Sequence, residues 1–226
     1  MNILGRIRRI PGTVAARARM RRSIRQADPL RLNIGAGGTE YTGWISLEHR
    51  VLDITSRSQW RSLLGKRMAA NILAEHVFEH LYYQDAMRAF NYIAEYMAPG
   101  GVFRFAVPDG NHPSAYVREL TGPQGTERGA EDHKYFYTIG DIPEIERLTG
   151  LHAEPLEYFS ADGVFVSGPI DFARGYISRC SANYKGRFTE SEEEMRRMIE
   201  TVPEHLREQF HSKGISYTSL LVDWVR

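Results

Sequence analysis

The sequence predicts an α/β fold of the doubly wound type, with helices on both faces of a mostly parallel sheet and antiparallel strands at one edge. Two observations indicate this class. Short apolar runs typical of strands alternate with helical patterns as far as residue 150, as expected for parallel strands joined by crossover helices. After residue 150 a hairpin pattern and one closing strand follow, and these favour the antiparallel edge.

The composition is that of an ordinary globular protein of one or two domains. The 226 residues are 42% hydrophobic and 25% charged, and no apolar run approaches the roughly 20 residues that span a bilayer. Cys180 is the single cysteine, so the chain forms no internal disulfide and no cluster of thiolate metal ligands. We therefore expect a protein of a reducing compartment, the cytoplasm.

Residues 1–29 are predicted to form a basic N-terminal extension ahead of a domain that covers residues 30–226. Residues 1–27 contain eight arginines and no acidic residue, a charge of +8, so the net charge of +1 leaves −7 for the remainder. The acidic remainder argues against a nucleic-acid partner. The apolar residues of the extension have a helical spacing that Pro11-Gly12 interrupts: Ile3, Ile7, Ile10 and Val14. A solvated tail, a basic helix in peripheral contact with an anionic membrane and an organellar transit peptide all fit this pattern.

The first strand runs into a glycine turn, and the predicted site is organised around this turn. Residues 30–34 alternate as a buried strand and stop at Gly35, Ala36, Gly37 and Gly38. Glycines allow positive φ and bring bare backbone N–H groups against a ligand. A second short strand, 44–47, ends on Glu48, whose carboxylate can accept hydrogen bonds from ribose hydroxyls. The pattern predicts a nucleoside-binding crevice.

The spacing of this motif limits the class of ligand that it can bind. A dinucleotide site requires G-x-G-x-x-G and an acid about 20 residues further on, whereas only G-x-G-G is present and Glu48 follows Gly35 by 13 positions. The G-x-x-x-x-G-K-[ST] motif of a triphosphate site is also absent from the sequence. A nucleoside without phosphates fits this short motif better.

Five segments, in the same order, resemble a known family. They are LNIGAGGTEYTGWISLEH at 32–49, NILAEHVFEHL at 71–81, MAPGGVFRFAVPD at 97–109, EDHKYFYT at 131–138 and YTSLLVDWV at 217–225. Together they resemble class I S-adenosylmethionine-dependent methyltransferases, in particular a compact predicted group of that class. The resemblance covers residues 30–226 and implies a Rossmann-like sheet, S-adenosyl-L-methionine as cofactor and methyl transfer as activity. The short segment before Glu48 implies that the family's first helix is reduced or missing.

The resemblance also implies roles for the predicted cofactor-binding residues. Gly35 and Gly37 would line the amino-acid part of the cofactor, with Ala36 and Gly38 completing the turn, and Glu48 would hold the ribose. Glu75 and His76 would lie beside the cofactor at the end of a later strand.

Asp53 has two interpretations. Residues 49–55, HRVLDIT, are predicted as a short strand ending near Asp53. In the family this position lies by the adenine, where a carboxylate accepts from the exocyclic amine. Asp or Ser ahead of SQWRSLLGK is also good N-cap chemistry for the next helix, and both interpretations stay open.

The elements up to residue 150 follow from periodicity and from helix signals. We expect strands at 69–74 and 101–107, a helix at 84–97 ended by Pro99-Gly100-Gly101, and a long loop from 108 to about 130. A further helix at 138–150 is expected to have a capping box of Asp141 and Glu144 and to stop at Gly150.

The last third is predicted to hold a hairpin, an insertion and the closing strand. Asp162-Gly163 indicates a two-residue turn between strands at 156–160 and 164–167. Residues 170–215 are an insertion or cap ahead of an edge or penultimate strand at 216–225. The basic, aromatic part, 170–188, either closes over the acceptor or packs under the sheet edge with solvated arginines. An acidic, solvated helix is expected to open with a capping box of Thr189 and Glu192 and to carry Glu192–Arg196 and Glu193–Arg197 pairs.

The candidate catalytic residues follow from the chemistry of methyl transfer. The reaction is a direct displacement at a sulfonium carbon, so the protein mainly supplies proximity and orientation. An oxygen or nitrogen acceptor can also need a general base, for which the candidates are Asp109 and His133, with His112 as a further choice. The competing interpretations are a turn-forming aspartate for Asp109 and a polar helix-entry residue for His133.

A metal site and a nucleophilic site are less well supported. His76, Glu79 and His80 have the spacing of one helical turn, but the order differs from H-E-x-x-H and the resembled family often has E-H-L here as a packed turn. We therefore expect no metal. The sequence has no G-x-S-x-G motif, and Cys180 lies in a basic, surface-like run.

The sequence as a whole predicts an S-adenosylmethionine-dependent methyltransferase acting on a small molecule or a saccharide, the saccharide being implied by the resemblance alone. The alternatives are a non-catalytic binding module of the same fold and a peripheral membrane protein that docks through residues 1–27. We expect no nucleic-acid partner.

Overall fold

The computed structural model describes residues 11–182, 191–212, 215 and 218–226. The strands are β1 (Arg31–Ile34), β2 (Ile45–Leu47), β3 (Ala69–Glu75), β4 (Met97–Pro108), β5 (His152–Phe159), β6 (Phe165–Ser167) and β7 (Ser219–Val225). The helices are α1 (Pro11–Gln26), α2 (Arg57–Leu64), α3 (Tyr83–Tyr96), α4 (Ala115–Thr121), α5 (Ile142–Thr149), α6 (Glu192–Glu200) and α7 (Glu208–Ser212). No helix in these ranges has both the length and the apolar character needed to cross a membrane.

The seven strands form one mixed sheet in the order β2-β1-β3-β4-β7-β5-β6. The first four strands are parallel to one another, because β1 pairs in parallel with β2 and β3, and β3 pairs in parallel with β4. β7 is antiparallel to both β4 and β5, and β6 is antiparallel to β5. The predicted α/β class, a mostly parallel sheet with antiparallel strands at one edge, is confirmed.

An aromatic cluster holds α3 against the sheet. Phe90 of α3 lies 5.6 Å from Phe103, 5.4 Å from Phe105 and 5.3 Å from Trp224, measured between ring centroids. All four side chains are fully buried. Such ring pairs add about 0.5–1.5 kcal/mol each to the effect of burial alone, so this cluster fixes the sheet on which the site is built.

Residues 49–55 form turns and no strand, so the short strand predicted to end near Asp53 is wrong. The backbone N–H groups of Val51 and Leu52 both donate to the carbonyl of Glu48, at 2.8 and 3.0 Å. Because this turn consumes the hydrogen bonds that a strand would exchange with a neighbour, residues 49–55 add no strand outside β2, which is the edge of the sheet. Between β1 and β2 the structure has turns and no helix, as the short segment before Glu48 predicts.

The predicted place of the closing strand is wrong. β7 is neither an edge nor a penultimate strand, because β5 and β6 both lie outside it in the sheet. The predicted hairpin is present, but the bond from Ser160 N to the Val164 carbonyl, at 2.9 Å, closes a loop of three residues, 161–163. Gly163 supplies the positive φ, 77°, that such a loop requires.

The helix signals before residue 150 are only partly confirmed. The loop predicted at 108–130 contains α4, capped by Ser114, whose hydroxyl accepts from Val117 N. Ahead of α5 the capping box joins Thr138 and Asp141 and not Asp141 and Glu144. Gly150 ends α5 as predicted, in the left-handed conformation with φ 69°.

α6 begins two residues later than its predicted capping box implies. Ser191 is the N-cap and forms the box with Glu194, whereas Thr189 lies outside the described residues. Glu193 pairs with Arg197 at 2.9 Å as predicted. Arg196 pairs with Glu193 and Glu200 and not with Glu192, because its guanidinium reaches both neighbouring turns.

The described part of the basic extension, α1, packs on the domain. Ile24 is fully buried in the main core. Arg17 Nε donates to the Val51 carbonyl at 3.0 Å, and Arg21 Nε donates to the Ser62 carbonyl at 2.7 Å. A solvated tail is therefore the wrong description of 11–26. Membrane contact through the exposed arginines, Arg19, Arg22 and Arg25, stays a prediction, which sedimentation with anionic vesicles would test.

Candidate functional site

Two adjoining cavities lie at the carboxyl ends of the parallel strands. The smaller has a volume of about 300 Å³ and the larger about 490 Å³. Both are lined by Gly35, which follows β1, and by His76 and His80, which follow β3. In an open parallel sheet this end of the strands is where ligands bind. The sheet topology thus places the glycine turn and the end of β3 around one space, as predicted.

The glycine turn adopts a backbone that glycine alone adopts readily. Gly35, Gly37 and Gly38 have φ of 62°, 56° and 81°. A Cβ on Gly35 would lie 2.5 Å from Cγ2 of Val77, whereas a Cβ on Gly37 or Gly38 would meet nothing within 4 Å. Gly35 therefore lets the turn approach the segment after β3, and the next two glycines face open space. Gly35, Ala36 and Gly37 line the smaller cavity, and Gly38 does not.

Glu48 is joined to this turn directly. Its Oε1 accepts a hydrogen bond from Gly38 N at 3.2 Å. Glu48 lines neither cavity, although its neighbour His49 lines the larger one. The carboxylate thus lies at the rim of the crevice. It is hydrogen-bonded to the glycine turn, with which the sequence predicts that it binds the ligand.

Asp53 lines the larger cavity and also shapes the entry to α2. Its Oδ1 accepts from Thr55 N at 3.0 Å and from Thr55 Oγ1 at 2.7 Å. The N-cap position of α2 is Ser56, so Asp53 does not cap the helix itself. Of its two interpretations, the ligand-facing one agrees with its place in the cavity wall.

The carboxylate of Glu75 binds the backbone of two residues that line the smaller cavity. Its Oε1 accepts from the backbone N–H groups of both Ser178 and Arg179, at 2.8 Å each. Arg179 reaches Glu127 on the far side of the cavity at 3.4 Å. Ser178 and Arg179 therefore form part of the cavity wall, which agrees with the predicted alternative in which residues 170–188 close over the site. Cys180 in this segment is buried and not surface-like, which corrects the prediction for it.

His76 is a neutral side chain with a strained backbone. It has φ 54° where the chain turns out of β3, a conformation uncommon for a non-glycine residue. Its Nε2 lies 3.0 Å from Ser219 Oγ, which links the cavity to β7. Burial, with a smaller contribution from the positive charge of Arg179, lowers the pKa of His76 to about 3.

Glu79 is the most buried polar residue that lines the smaller cavity. Its side chain is 1% exposed, and neither carboxylate oxygen has a hydrogen-bond partner in the described part of the chain. Burial raises the pKa of Glu79 to about 7. His133 Nε2 lies 3.9 Å from Glu79 Oε1, and the rings of His80 and His133 meet edge to face at 4.7 Å.

His133 is the predicted catalytic candidate that the structure places in the cavity wall. Its Nδ1–H donates to the Thr121 carbonyl at 2.7 Å. Because that bond assigns the proton to Nδ1, the lone pair of Nε2 is directed toward Glu79 and the cavity. His80 lies next to Asp132, 3.7 Å from its carboxylate, and burial lowers the pKa of His80.

Asp109 and His112 lie away from both cavities. Asp109 is buried, and its two oxygens accept from Asn111 N at 2.8 Å and Phe159 N at 2.7 Å. His112 packs on Phe159 at 4.6 Å, and its Nδ1 accepts from Ser114 N. Asp109 thus ties the end of β4 to β5, which agrees with its interpretation as a turn-forming residue and not with that of a base.

The pH dependence of stability should report the burial of Asp109. Burial raises the pKa of Asp109 from 3.8 to about 6, so the folded protein holds a proton that the unfolded chain releases between these values. The stabilisation is complete below pH 3.8 and is lost as the pH rises through 6. The shift corresponds to about 3 kcal/mol.

Between pH 4 and 7 we expect wild type to lose roughly 3 kcal/mol of unfolding free energy relative to Asp109→Asn. Urea unfolding at several pH values measures it, because groups common to both proteins cancel. Asp162→Asn, which removes a carboxylate from the exposed hairpin loop, is the control. If the difference in unfolding free energy between wild type and Asp109→Asn did not change with pH, burial of the Asp109 carboxyl would be contradicted.

The known proteins that are similar to this chain are solved structures. No protein-family model and no curated protein sequence matches the chain. A SAM-dependent methyltransferase from Archaeoglobus fulgidus is 12% identical, with 95% of this chain and 94% of that chain covered and a TM-score of 0.43. A methyltransferase solved with the Haloferax volcanii Trm112 methyltransferase activator is 13% identical, with 95% and 93% covered and a TM-score of 0.44.

A magnesium protoporphyrin IX methyltransferase from Synechocystis, solved with SAH bound, is 11% identical, with 67% of this chain and 80% of that chain covered and a TM-score of 0.36. These three proteins are methyltransferases by their descriptions, and the third acts on magnesium protoporphyrin IX. The strand order and strand directions of this chain themselves define its α/β class.

Proposed function

We propose that this chain is an S-adenosylmethionine-dependent methyltransferase that acts on a small-molecule or saccharide acceptor. One observation carries the proposal: a glycine turn with three positive φ angles opens onto two adjoining cavities at the carboxyl ends of β1 and β3, with Glu48 bonded to it. A glycine turn and an acid at the carboxyl ends of neighbouring parallel strands suit a nucleoside ligand.

The two cavities differ in the part of the cofactor that each suits. The larger is flanked by apolar side chains, Leu52, Ile54 and Leu81, and by the carboxylate of Asp53. A base can pack on such side chains while its exocyclic amine donates to Asp53. Glu48, at the rim, would accept hydrogen bonds from the ribose hydroxyls. The smaller cavity, beyond Gly35 and Gly37, would then receive the sulfonium end of the cofactor and the acceptor.

The walls of the smaller cavity favour a polar acceptor. They carry the side chains of Glu79, His133, Glu127 and Arg179. Such groups hydrogen-bond hydroxyls well, which supports a hydroxylated small molecule or a saccharide. Bound S-adenosylmethionine supplies the methyl group and its own leaving group, so the chain's task is to align the acceptor atom with the sulfonium carbon. His133 is the proposed catalytic residue on the acceptor side, where it would receive the acceptor's proton.

Calorimetric titration with S-adenosylmethionine and S-adenosylhomocysteine tests the cofactor site. Wild type should bind both, and Glu48→Ala should weaken both by about 10- to 100-fold, because hydrogen bonds to a charged carboxylate contribute about 1.5–3 kcal/mol. Glu40→Ala is the matched control, because Glu40 is exposed and lines neither cavity. It should bind like wild type.

Absence of binding by the intact, folded wild type would refute the proposal. If binding is found, transfer of an isotope-labelled methyl group to a panel of sugars and small hydroxylated molecules tests catalysis. Cofactor binding with no transfer to any member would favour a non-catalytic binding module of the same fold.

A further inference from the structure

The wall of the smaller cavity brings together three groups that ligate metals. One carboxylate oxygen of Glu79 and one ring nitrogen each of His80 and His133 lie within 4.8 Å of one another. Glu79 and His80 belong to the turn after β3, whereas His133 lies more than 50 positions further along the chain. The three residues therefore meet only because the segment at 130–135 packs on that turn, where Lys134 N donates to the Glu79 carbonyl at 2.6 Å.

The carboxylate in this cluster lacks the partners that a buried charge needs. Glu79 is 1% exposed, and neither of its oxygens has a hydrogen-bond partner among the residues described. His76 Nδ1 comes within 3.2 Å of Oε1, but not in the geometry of a hydrogen bond. Leaving a buried carboxylate unpaired is costly, and a cation held by its oxygens removes that cost.

One of the two imidazoles is oriented as metal ligands usually are, and the other has a carboxylate nearby. A ligating histidine normally donates its other N–H to a carbonyl, a carboxylate or a water, which fixes the ring and directs the free lone pair to the metal. His133 has this arrangement, because its Nδ1–H donates to the Thr121 carbonyl at 2.7 Å and its Nε2 lies on the side of Glu79. His80 lies against the carboxylate of Asp132 at 3.7 Å.

We infer that Glu79, His80 and His133 bind one divalent first-row transition-metal ion, of the class of Zn²⁺. Two imidazoles and one carboxylate suit such an ion and not Mg²⁺ or Ca²⁺, which prefer oxygen ligands. Ligand atoms around a tetrahedral ion at about 2.1 Å lie about 3.4 Å apart, so the side chains must close by up to about 1.4 Å on binding. The set differs from the His76, Glu79 and His80 spacing in the sequence, because His133 takes the place of His76.

Three protein ligands leave a coordination position open to the cavity, where a hydroxyl oxygen of the acceptor can bind. A hydroxyl coordinated there would lose its proton more readily, to solvent water in the cavity, and His133 would then act as a ligand and not as the proton acceptor. This role in the reaction rests on the proposed function. Binding of the ion does not, and it can be measured alone.

Titration of the full chain, free of any purification tag, with Co²⁺ tests the inference, because the visible absorption of bound Co²⁺ reports its ligands. We expect one equivalent to bind, and Zn²⁺ to displace it. Glu79→Gln and His133→Asn should each weaken binding by at least about 10-fold, the loss typical of even an outer partner. His152→Asn, which removes an exposed imidazole elsewhere, is the matched control and should bind like wild type.

Wild type that fails to bind one equivalent of Co²⁺ or Zn²⁺, or folded Glu79→Gln and His133→Asn variants that bind as wild type does, would overturn the inference. If circular dichroism shows that either variant is unfolded, the visible spectrum of Co²⁺ bound to wild type decides the outcome. Weak absorption, typical of six-coordinate Co²⁺, would show an ion held mainly by water and would contradict the inference. Titration of chelator-treated protein with S-adenosylmethionine separates the two proposals. Metal binding without cofactor binding would refute the proposed function and leave the metal site intact.

Discussion

Asp223→Ala is expected to lower the free energy of unfolding by about 3–5 kcal/mol, the usual result of removing one partner from a buried ion pair. Arg104 of β4 and Asp223 of β7 are 0% and 1% exposed. Nε and Nη2 of Arg104 donate to the two carboxylate oxygens at 2.7 and 2.8 Å. Without Asp223 the guanidinium stays buried between strands with its charge uncompensated.

The same change should loosen the wall of the site. Nη1 of Arg104 also donates to the carbonyls of Asp171 and Gly175, at 2.8 and 2.5 Å, and this segment leads to the two N–H groups that bind Glu75. We therefore expect weaker cofactor binding in Asp223→Ala, at temperatures where the variant is still folded. Urea unfolding and calorimetry measure the two effects.

Glu154→Ala is the control for this prediction. Glu154 pairs with Arg174 at 2.8 Å, but both side chains are about 40% exposed. An exposed pair contributes up to about 1 kcal/mol, so this variant should unfold close to wild type. A loss for Asp223→Ala no larger than that of Glu154→Ala would show that the buried pair does not hold the strands together.

Gly35→Ala is expected to destabilise the fold by roughly 2–5 kcal/mol and to abolish cofactor binding. A positive φ costs a residue with a Cβ about 1–2 kcal/mol, and forcing extra atoms into a packed site costs about 1–3 kcal/mol more. Both apply here, because φ is 62° and the new Cβ would lie 2.5 Å from Cγ2 of Val77. Valine is branched at Cβ and cannot swing its methyl groups away easily. Thermal or urea unfolding and ligand titration measure the outcome.

Two variants separate the causes. Gly37→Ala carries a similar φ, 56°, with nothing within 4 Å of the new Cβ, so it should show the backbone cost alone. Gly35→Ala combined with Val77→Ala removes the clash and should recover part of the stability lost by Gly35→Ala. If Gly35→Ala and Gly37→Ala were equally stable, close packing against Val77 would have no part in shaping the turn.

The sequence predicts those parts of the fold whose signal is local. The apolar runs of β1, β3 and β4 and the glycine turn after β1 are read directly, because buried parallel strands and positive φ demand particular residue types. The carboxyl ends of these strands then converge by topology, and Gly35, Asp53 and His76 line one cavity.

The parts that sequence analysis missed depend on contacts distant in the chain. Glu75 looks like a ligand-binding acid, yet its partners are backbone N–H groups 103 and 104 positions away. Asp109 directly follows a strand like a catalytic base, but Phe159 N, 50 positions away, draws its carboxylate inward. No periodicity carries such pairings, because each arises from packing between elements. The turn at 49–55 shows the same limit, since strand-like residues there bury their side chains without a neighbouring strand to pair with.

The position of β7 inside the sheet has a consequence for synthesis of the chain on the ribosome. The β5–β6 hairpin joins the sheet only through β7, since β7 lies between β4 and β5. Until residues 219–225 have left the exit tunnel, β4 keeps an unpaired edge and the hairpin has no strand to attach to. Between the emergence of β6 and that of β7 the nascent protein therefore exposes two open strand edges, and a chaperone that shields such edges would act in that interval.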